Sequence, residues 1–244
     1  MISIRSIDGL PEIVRGADLA ALIDAAAPNL GPDDVLVVSH KVVSKAQGET
    51  RALADVEPSP DAVAITQALG LHDARVTQVV LDESAEIVRT APGVLICRTH
   101  HGFVCANAGV DSSNAPDGHV VLLPRDPDGA AGALRAGLPA RPAVVIVDSF
   151  GRAWRHGQVD IAIGIAGLQP LDDWRGRHDR AGRELRATWV AVADQIAAAA
   201  DLARGGKDAG TPAVVVTGLE RFITSRDGIG VAALLRPRSE DLFA

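Results

Sequence analysis

Tyrosine is absent from this 244-residue chain, and aromatic residues make up only 3% of it. Alanine, valine and leucine are abundant, so aliphatic side chains must build the core. Cysteine occurs twice, at Cys97 and Cys105, too few for a disulfide framework. The two lie in neighbouring strand-like runs and could face each other, but without export a pair of buried thiols is the better reading. Long hydrophobic runs are missing too: none approaches the roughly 20 residues needed to span a bilayer. The opening residues, MISIRSIDGLPEI, alternate polar and apolar side chains and lack a signal-peptide core, which reads as a cytoplasmic protein without a membrane partner. Positive charge is in deficit, with 24 Lys and Arg against 31 Asp and Glu and a formal net charge of -7. That balance argues against a general nucleic-acid binder. It also sets a condition on any nucleotide site, because a local basic cluster plus a metal must overcome the overall field. The candidates are Lys41 with Lys45, Arg152 with Arg155, and Arg204 with Lys207.

What is present is a mixture of strand and helix signals. Residues 2–7 read as a strand, 9–13 as a turn, 18–27 as a helix and 35–39 as a strand. The lysines at 41 and 45 share one face if the chain then turns helical. Helices are expected over 61–69 and about 76–89, and a hairpin from 94–99 and 102–110 closing at His100 and His101. A strand VVLLP follows, then a helix from Asp126 and Pro127 to Leu138. Residues 143–147 read as a buried strand ending abruptly at Asp148. A long helix is expected over about 183–203, a strand over 213–217, and one short helix before the tail. Strands and helices do not alternate strictly, so an α+β fold with mixed sheets is favoured over a doubly wound one. The length allows one large domain or two small ones.

Several familiar sites are excluded. There is no Gly-x-x-x-x-Gly-Lys-Ser/Thr phosphate loop. GIGVAA at 228–233 matches a dinucleotide pattern, but no βαβ unit follows it. The histidines lack zinc spacing, and no nucleophile elbow or activated cysteine is visible. Scattered oxygen ligands and cations remain. Asp111 ends a strand-like run and is followed by Ser112, Ser113 and Asn114; Asp148 and Ser149 do the same in AVVIVDSFGRAWRHGQ. Singly, each aspartate reads as a turn residue. Together with the lysine pair they suit Mg²⁺ or Mn²⁺ at a nucleotide. ARGGKDAGTP reads either as a plain helix end or as a Gly-rich basic loop that approaches phosphates.

GLPEI, VVSHKVVSKAQG, GFVCANAGVDSSN, LLPRDPD, VDSFGRAWRHGQ, AIGIAGLQPLDDWRG and VAVADQIAAAADLARGGK occur in one order across nearly the whole chain. This combination closely resembles the coenzyme F-420-0:L-glutamate ligase (γ-glutamyl ligase) family. The resemblance implies an intertwined homodimer of α+β fold and one catalytic domain over residues 1–244, without a C-terminal reductase domain. It implies GTP-dependent addition of L-glutamate to F-420-0 through a γ-linked amide and an acyl phosphate, with Mg²⁺ or Mn²⁺ and commonly a monovalent cation such as K⁺. Carried over by position, Leu10, Pro11, Glu12, Ile13, His40, Lys41, Lys45 and Asn114 would contact the nucleotide, with the loop from Arg204 through Gly205, Gly206 and Lys207 to Thr211. Asp111 and Asp148 would bind one metal and Ser149 a second, and Asp111, Asp148 and Lys45 would carry catalysis. The chain departs from the family at His40, where Ser or Thr is common, at Ser149 in place of Thr, and at Gly206, where Gln or Glu is frequent. Other readings are a γ-glutamyl ligase for another acceptor such as a folate, or a nucleotide-binding regulator without catalysis.

Overall fold

The computed structural model describes residues 1–206 and 209–241. In chain order the elements are β1 (Ser3–Ile7), α1 (Leu19–Ala26), β2 (Val35–Ser39), α2 (His40–Gln47), β3 (Thr50–Ala52), α3 (Pro60–Leu69), α4 (Ala74–Asp82), β4 (Ser84–Ala91), β5 (Val94–Thr99) and β6 (Val104–Ala106). They continue as β7 (His119–Val121), α5 (Pro127–Gly137), β8 (Ala143–Arg152), β9 (Arg155–Ala166), β10 (Leu171–Asp173), β11 (Trp189–Ala191), α6 (Val192–Arg204) and β12 (Ala213–Thr217). The fold is α+β, with mixed sheets and packed helices.

The central sheet has the order β1-β12-β2-β8-β9. Only β2 and β8 are parallel, and every other neighbouring pair is antiparallel. Residues 35–38 and 143–147 are buried without a break. Continuous burial means that both faces of the sheet are covered, which is why these strands read as uninterrupted apolar runs. α5 packs on β8 and β9, and α6 runs against β9, β12 and β1. A smaller cluster of Val79, Val80, Leu95, Cys97, Ala108, Val110, Val120 and Leu122 forms a second core among α4, β5 and β7.

The contact between α5 and β9 depends on a missing side chain. A Cβ at Gly164 would lie 2.4 Å from the Pro127 carbonyl oxygen, a backbone atom that cannot swing aside. Gly164→Ala is therefore expected to cost about 1–3 kcal/mol of stability by forcing helix and strand apart. A urea melt unchanged from the wild type would show that α5 can shift freely.

Four segments differ from the sequence reading. The helix expected over 76–89 stops at Asp82, and Ser84 turns its hydroxyl back onto the Val80 carbonyl at 2.5 Å. Glu86, Ile87 and Arg89 then pair with β5, because this β-branched stretch alternates its burial. The helix expected over 183–203 begins only at Val192. Trp189, Val190 and Ala191 instead pair with β10. The strand at 102–110 is pared to β6, since Asn107 and Ala108 take left-handed φ values of 51° and 52°. Finally, β8 runs past Asp148 to Arg152 and turns into β9. No helix among the described residues is long and apolar enough to cross a membrane.

Cys97 and Cys105 stand opposite each other in the β5–β6 ladder, both buried and both free thiols. Burial, reinforced by the charges of Asp148 and Cys97, pushes the Cys105 thiol up to about 12. Thiolate is the reactive form. Both cysteines are therefore expected to resist alkylation at pH 8 in the native protein and to react fully in denaturant; rapid native labelling would contradict the burial.

Candidate active site

The sheet topology brings one set of chain segments to a single edge. Across the ladder, Ile7 pairs with Ala213, Ala213 with Val38, and Val38 with Ile146. The loop after β1, the junction of β2 with α2, the residues before β12 and the outer half of β8 therefore all emerge on the same side. The Ser39 N–H donates to the Pro212 carbonyl at 2.8 Å, tying two of these segments. Between them lies a cleft of about 550 Å³. Its walls include Leu10, Pro11, Glu12, Ile13, Lys41, Lys45 and Asn114, with Asp148, Ser149, Arg204, Gly205 and Gly206.

Helix α2 delivers the lysines. Val42 and Val43 bury its inner side, and the left-handed Gly48 ends it after two turns. Spacing of four residues places Lys41 and Lys45 one above the other. Lys41 Nζ lies 2.7 Å from Asp111 Oδ2 and donates to Ser113 Oγ at 2.5 Å. Lys45, only 7% exposed, donates to Glu12 Oε1 at 2.5 Å and to the Asn114 carbonyl at 3.5 Å. The 111–114 loop is thus pinned to the helix by both lysines.

Asp111 feels two opposed influences. Burial pushes its carboxyl up, but hydrogen bonds from Lys41 and Ser113 with the lysine charge outweigh it and hold the group below the usual carboxylate range. On the other wall, Asp148 Oδ1 accepts the Ser149 N–H at 2.8 Å. The Ser149 hydroxyl donates to Asp160 Oδ1 at 2.6 Å. Asp160 Oδ2 pairs with Arg204, which also bonds Asp201 Oδ1 at 3.0 Å. Burial lowers the Arg204 guanidinium from its ordinary value, against the opposing pull of Asp148.

Most residues singled out in the sequence line this cleft, but two stand behind it. Asp111 is off the cleft wall and meets the lining residue Lys41 at 2.7 Å. His40 is 1% exposed, and its Nε2 approaches Asp148 Oδ1 at 3.3 Å without hydrogen-bond geometry. It backs the aspartate and is not on the cleft wall. Lys207 falls outside the described residues. Arg152 and Arg155 sit on the exposed β8–β9 hairpin, and the Arg152 guanidinium donates to the His156 carbonyl at 2.6 Å. Asp160 and Asp201 also line the cleft, beyond the residues that the sequence points to, as does Gln158 at the end of the VDSFGRAWRHGQ run. The signal for Asp160 was a lone carboxylate inside the apolar alternation VDIAIGIA, the pattern that drew attention to Asp148.

Asp111, Asp148 and Ser149 offer only oxygen donors, which suits a hard divalent cation. Among the described residues no three His, Cys, Asp or Glu side chains converge into a complete metal cage. A cation that takes its remaining ligands from phosphates and water does not require one.

An α+β chain that gathers two lysines and an arginine against aspartates in one cleft is organised to hold a small, highly charged ligand. The chain belongs to the F420-0:Gamma-glutamyl ligase family, whose model matches residues 9–218, and is a ligase. It is 43% identical over 250 residues to the coenzyme F420:L-glutamate ligase of Methanothermobacter thermautotrophicus, covering 99% of this chain and 98% of that one. It is 45% identical over 233 residues to the enzyme of the same name from Methanopyrus kandleri, covering 93% and 92%. The Halobacterium salinarum relative is 43% identical over 244 residues, covering 95% and 96%.

Proposed function

We propose that this chain is a GTP-dependent ligase that joins L-glutamate through a γ-linked amide to coenzyme F-420-0, releasing GDP and phosphate. The observation that carries the reading is the convergence of Lys41, Lys45 and Arg204 with Asp148, Ser149 and Asn114 on one cleft, in a chain of this family.

A carboxylate is a poor electrophile. In the proposed reaction its oxygen attacks the γ-phosphorus of GTP, the bond to GDP breaks, and an acyl phosphate forms. The glutamate amine then attacks the acyl carbon, phosphate leaves, and the amine's proton passes to water. Phosphoryl transfer asks chiefly for positioning and neutralisation of charge. Lys45, Lys41 and Arg204 supply fixed positive charge, and the Gly205–Gly206 backbone allows close approach of phosphate. Asp148 would hold one Mg²⁺ or Mn²⁺ from the cleft wall, Asp111 would join it on leaving Lys41, and Ser149 would stand at a second such cation, with K⁺ as a monovalent companion. Such a cation would neutralise charge on the transferred phosphoryl group.

The homodimer belongs to the same reading. Its support is the outer edge of β9, which no strand pairs among the described residues, together with Trp154, which is 79% exposed. Free strand edges and exposed aromatic side chains are features that a partner covers. Light scattering is expected to give twice the chain mass of 25.3 kDa; a monomer would remove the dimer from the proposal.

Incubation with F-420-0, GTP, Mn²⁺ and L-glutamate is expected to raise the acceptor's mass by one or more glutamyl units. Folded protein giving no such product would refute the assignment.

A further inference from the structure

Asp160 is 1% exposed, although it borders a cleft. Burying a carboxylate is costly unless both oxygens are satisfied. Here each oxygen has its own donor: Oδ1 takes the Ser149 hydroxyl at 2.6 Å, and Oδ2 takes Arg204. The arrangement follows from the sheet, because Asp160 on β9 stands directly opposite Ser149 on β8.

A serine hydroxyl has one proton and two lone pairs. With the proton committed to Asp160, the lone pairs are free for an electrophile. With the proton turned into the cleft, a cation would meet a positive end. Arg204 neutralises Asp160, so this carboxylate acts as a proton acceptor without competing as a metal ligand. Asp201, three residues before Arg204 on α6, accepts from the same guanidinium nitrogen at 3.0 Å.

We propose that Asp160 is a positioning residue that fixes the sense of the Ser149 hydroxyl, presenting its oxygen to a divalent cation. The proposal deepens the reading above, in which Ser149 stands at a metal. It makes Asp160 part of the metal apparatus without being a ligand, the role that outer partners play around metal sites.

Asp160→Asn tests it sharply. Arg204 can only donate, so the charged guanidinium will claim the amide oxygen. The amide NH₂ is left facing Ser149, whose hydroxyl must then accept and turn its proton toward the cleft. Size and both contacts are kept, so the variant should fold, which a thermal melt checks. The readout is Mn²⁺ binding in the presence of GDP, followed by the electron paramagnetic resonance signal of free Mn²⁺. Asp160→Asn is expected to weaken binding about 10- to 100-fold, and Ser149→Ala comparably. The double variant should bind about as weakly as Ser149→Ala alone, because Asp160 acts through Ser149.

Unchanged Mn²⁺ affinity in folded Asp160→Asn would overturn the proposal. So would a loss repeated in full in the Ser149→Ala background, which would reduce Asp160 to a long-range charge. Wild-type protein that binds no Mn²⁺ with GDP would remove the metal reading itself, and this inference with it.

Discussion

Asp148→Asn is expected to leave the fold standing and to abolish ligation. The position lies within β8, in a ladder that continues to Arg152, so pairing does not depend on the charge. Asparagine can still accept the Ser149 N–H through its amide oxygen. What it cannot supply is the negative charge that would hold a divalent cation beside the Ser149 oxygen. Losing a key electrostatic group in an active site typically costs about 3 kcal/mol of barrier, or at least about 100-fold in rate. Glutamyl product measured by mass spectrometry should therefore fall below one per cent of wild type, with an unchanged melting curve. Near-normal turnover would take Asp148 out of the metal site. A collapsed melting curve would instead make the aspartate a structural residue of the strand, with His40 as the partner left unmatched.

Much of this arrangement is written in short-range patterns, and the parts that are not have a common cause. β2 and α2 are legible because four apolar residues and a four-residue lysine spacing both act locally. α5 is legible from the Asp126 cap and Pro127 at its first turn. The failures arise where pairing at a distance decides the structure. Residues 84–91 carry weak helical spacing, yet β5 recruits them into a ladder. Residues 189–191 do the same beside β10. β9 carries no clear local signal, and Asp160 within it matters only because it faces Ser149 across two strands. His40 shows the converse. The family resemblance sets it among the nucleotide contacts, but the parallel pairing of β2 and β8 turns its ring toward Asp148. Local sequence therefore marked the lysines and Asp148, while the positions of Asp160 and His40 required the ladder.

Lys45→Met is expected to lower kcat/KM for GTP by about 100-fold or more, a loss of phosphoryl-group charge stabilisation like that of other electrostatic catalytic groups. Among the described residues, the one full negative charge that Lys45 contacts is Glu12, at 2.5 Å. Were that ion pair its purpose, Glu12→Gln would do equal harm. Glu12, however, is 77% exposed at its side chain, and pairs with an exposed partner contribute about 1 kcal/mol or less. A lysine kept at 8% side-chain exposure beside a cleft, against so exposed a partner, is better placed to meet an incoming anion than to brace a loop. Glu12 then serves as a counter-ion that yields when phosphate arrives, and Glu12→Gln should change kcat/KM only a few-fold. Lys45→Arg should not rescue activity, since a planar guanidinium is larger and cannot occupy the slot between Glu12 and the Asn114 carbonyl as a compact ammonium does. Equal losses in Lys45→Met and Glu12→Gln would return Lys45 to a purely structural role and leave Lys41 and Arg204 as the cations facing the nucleotide.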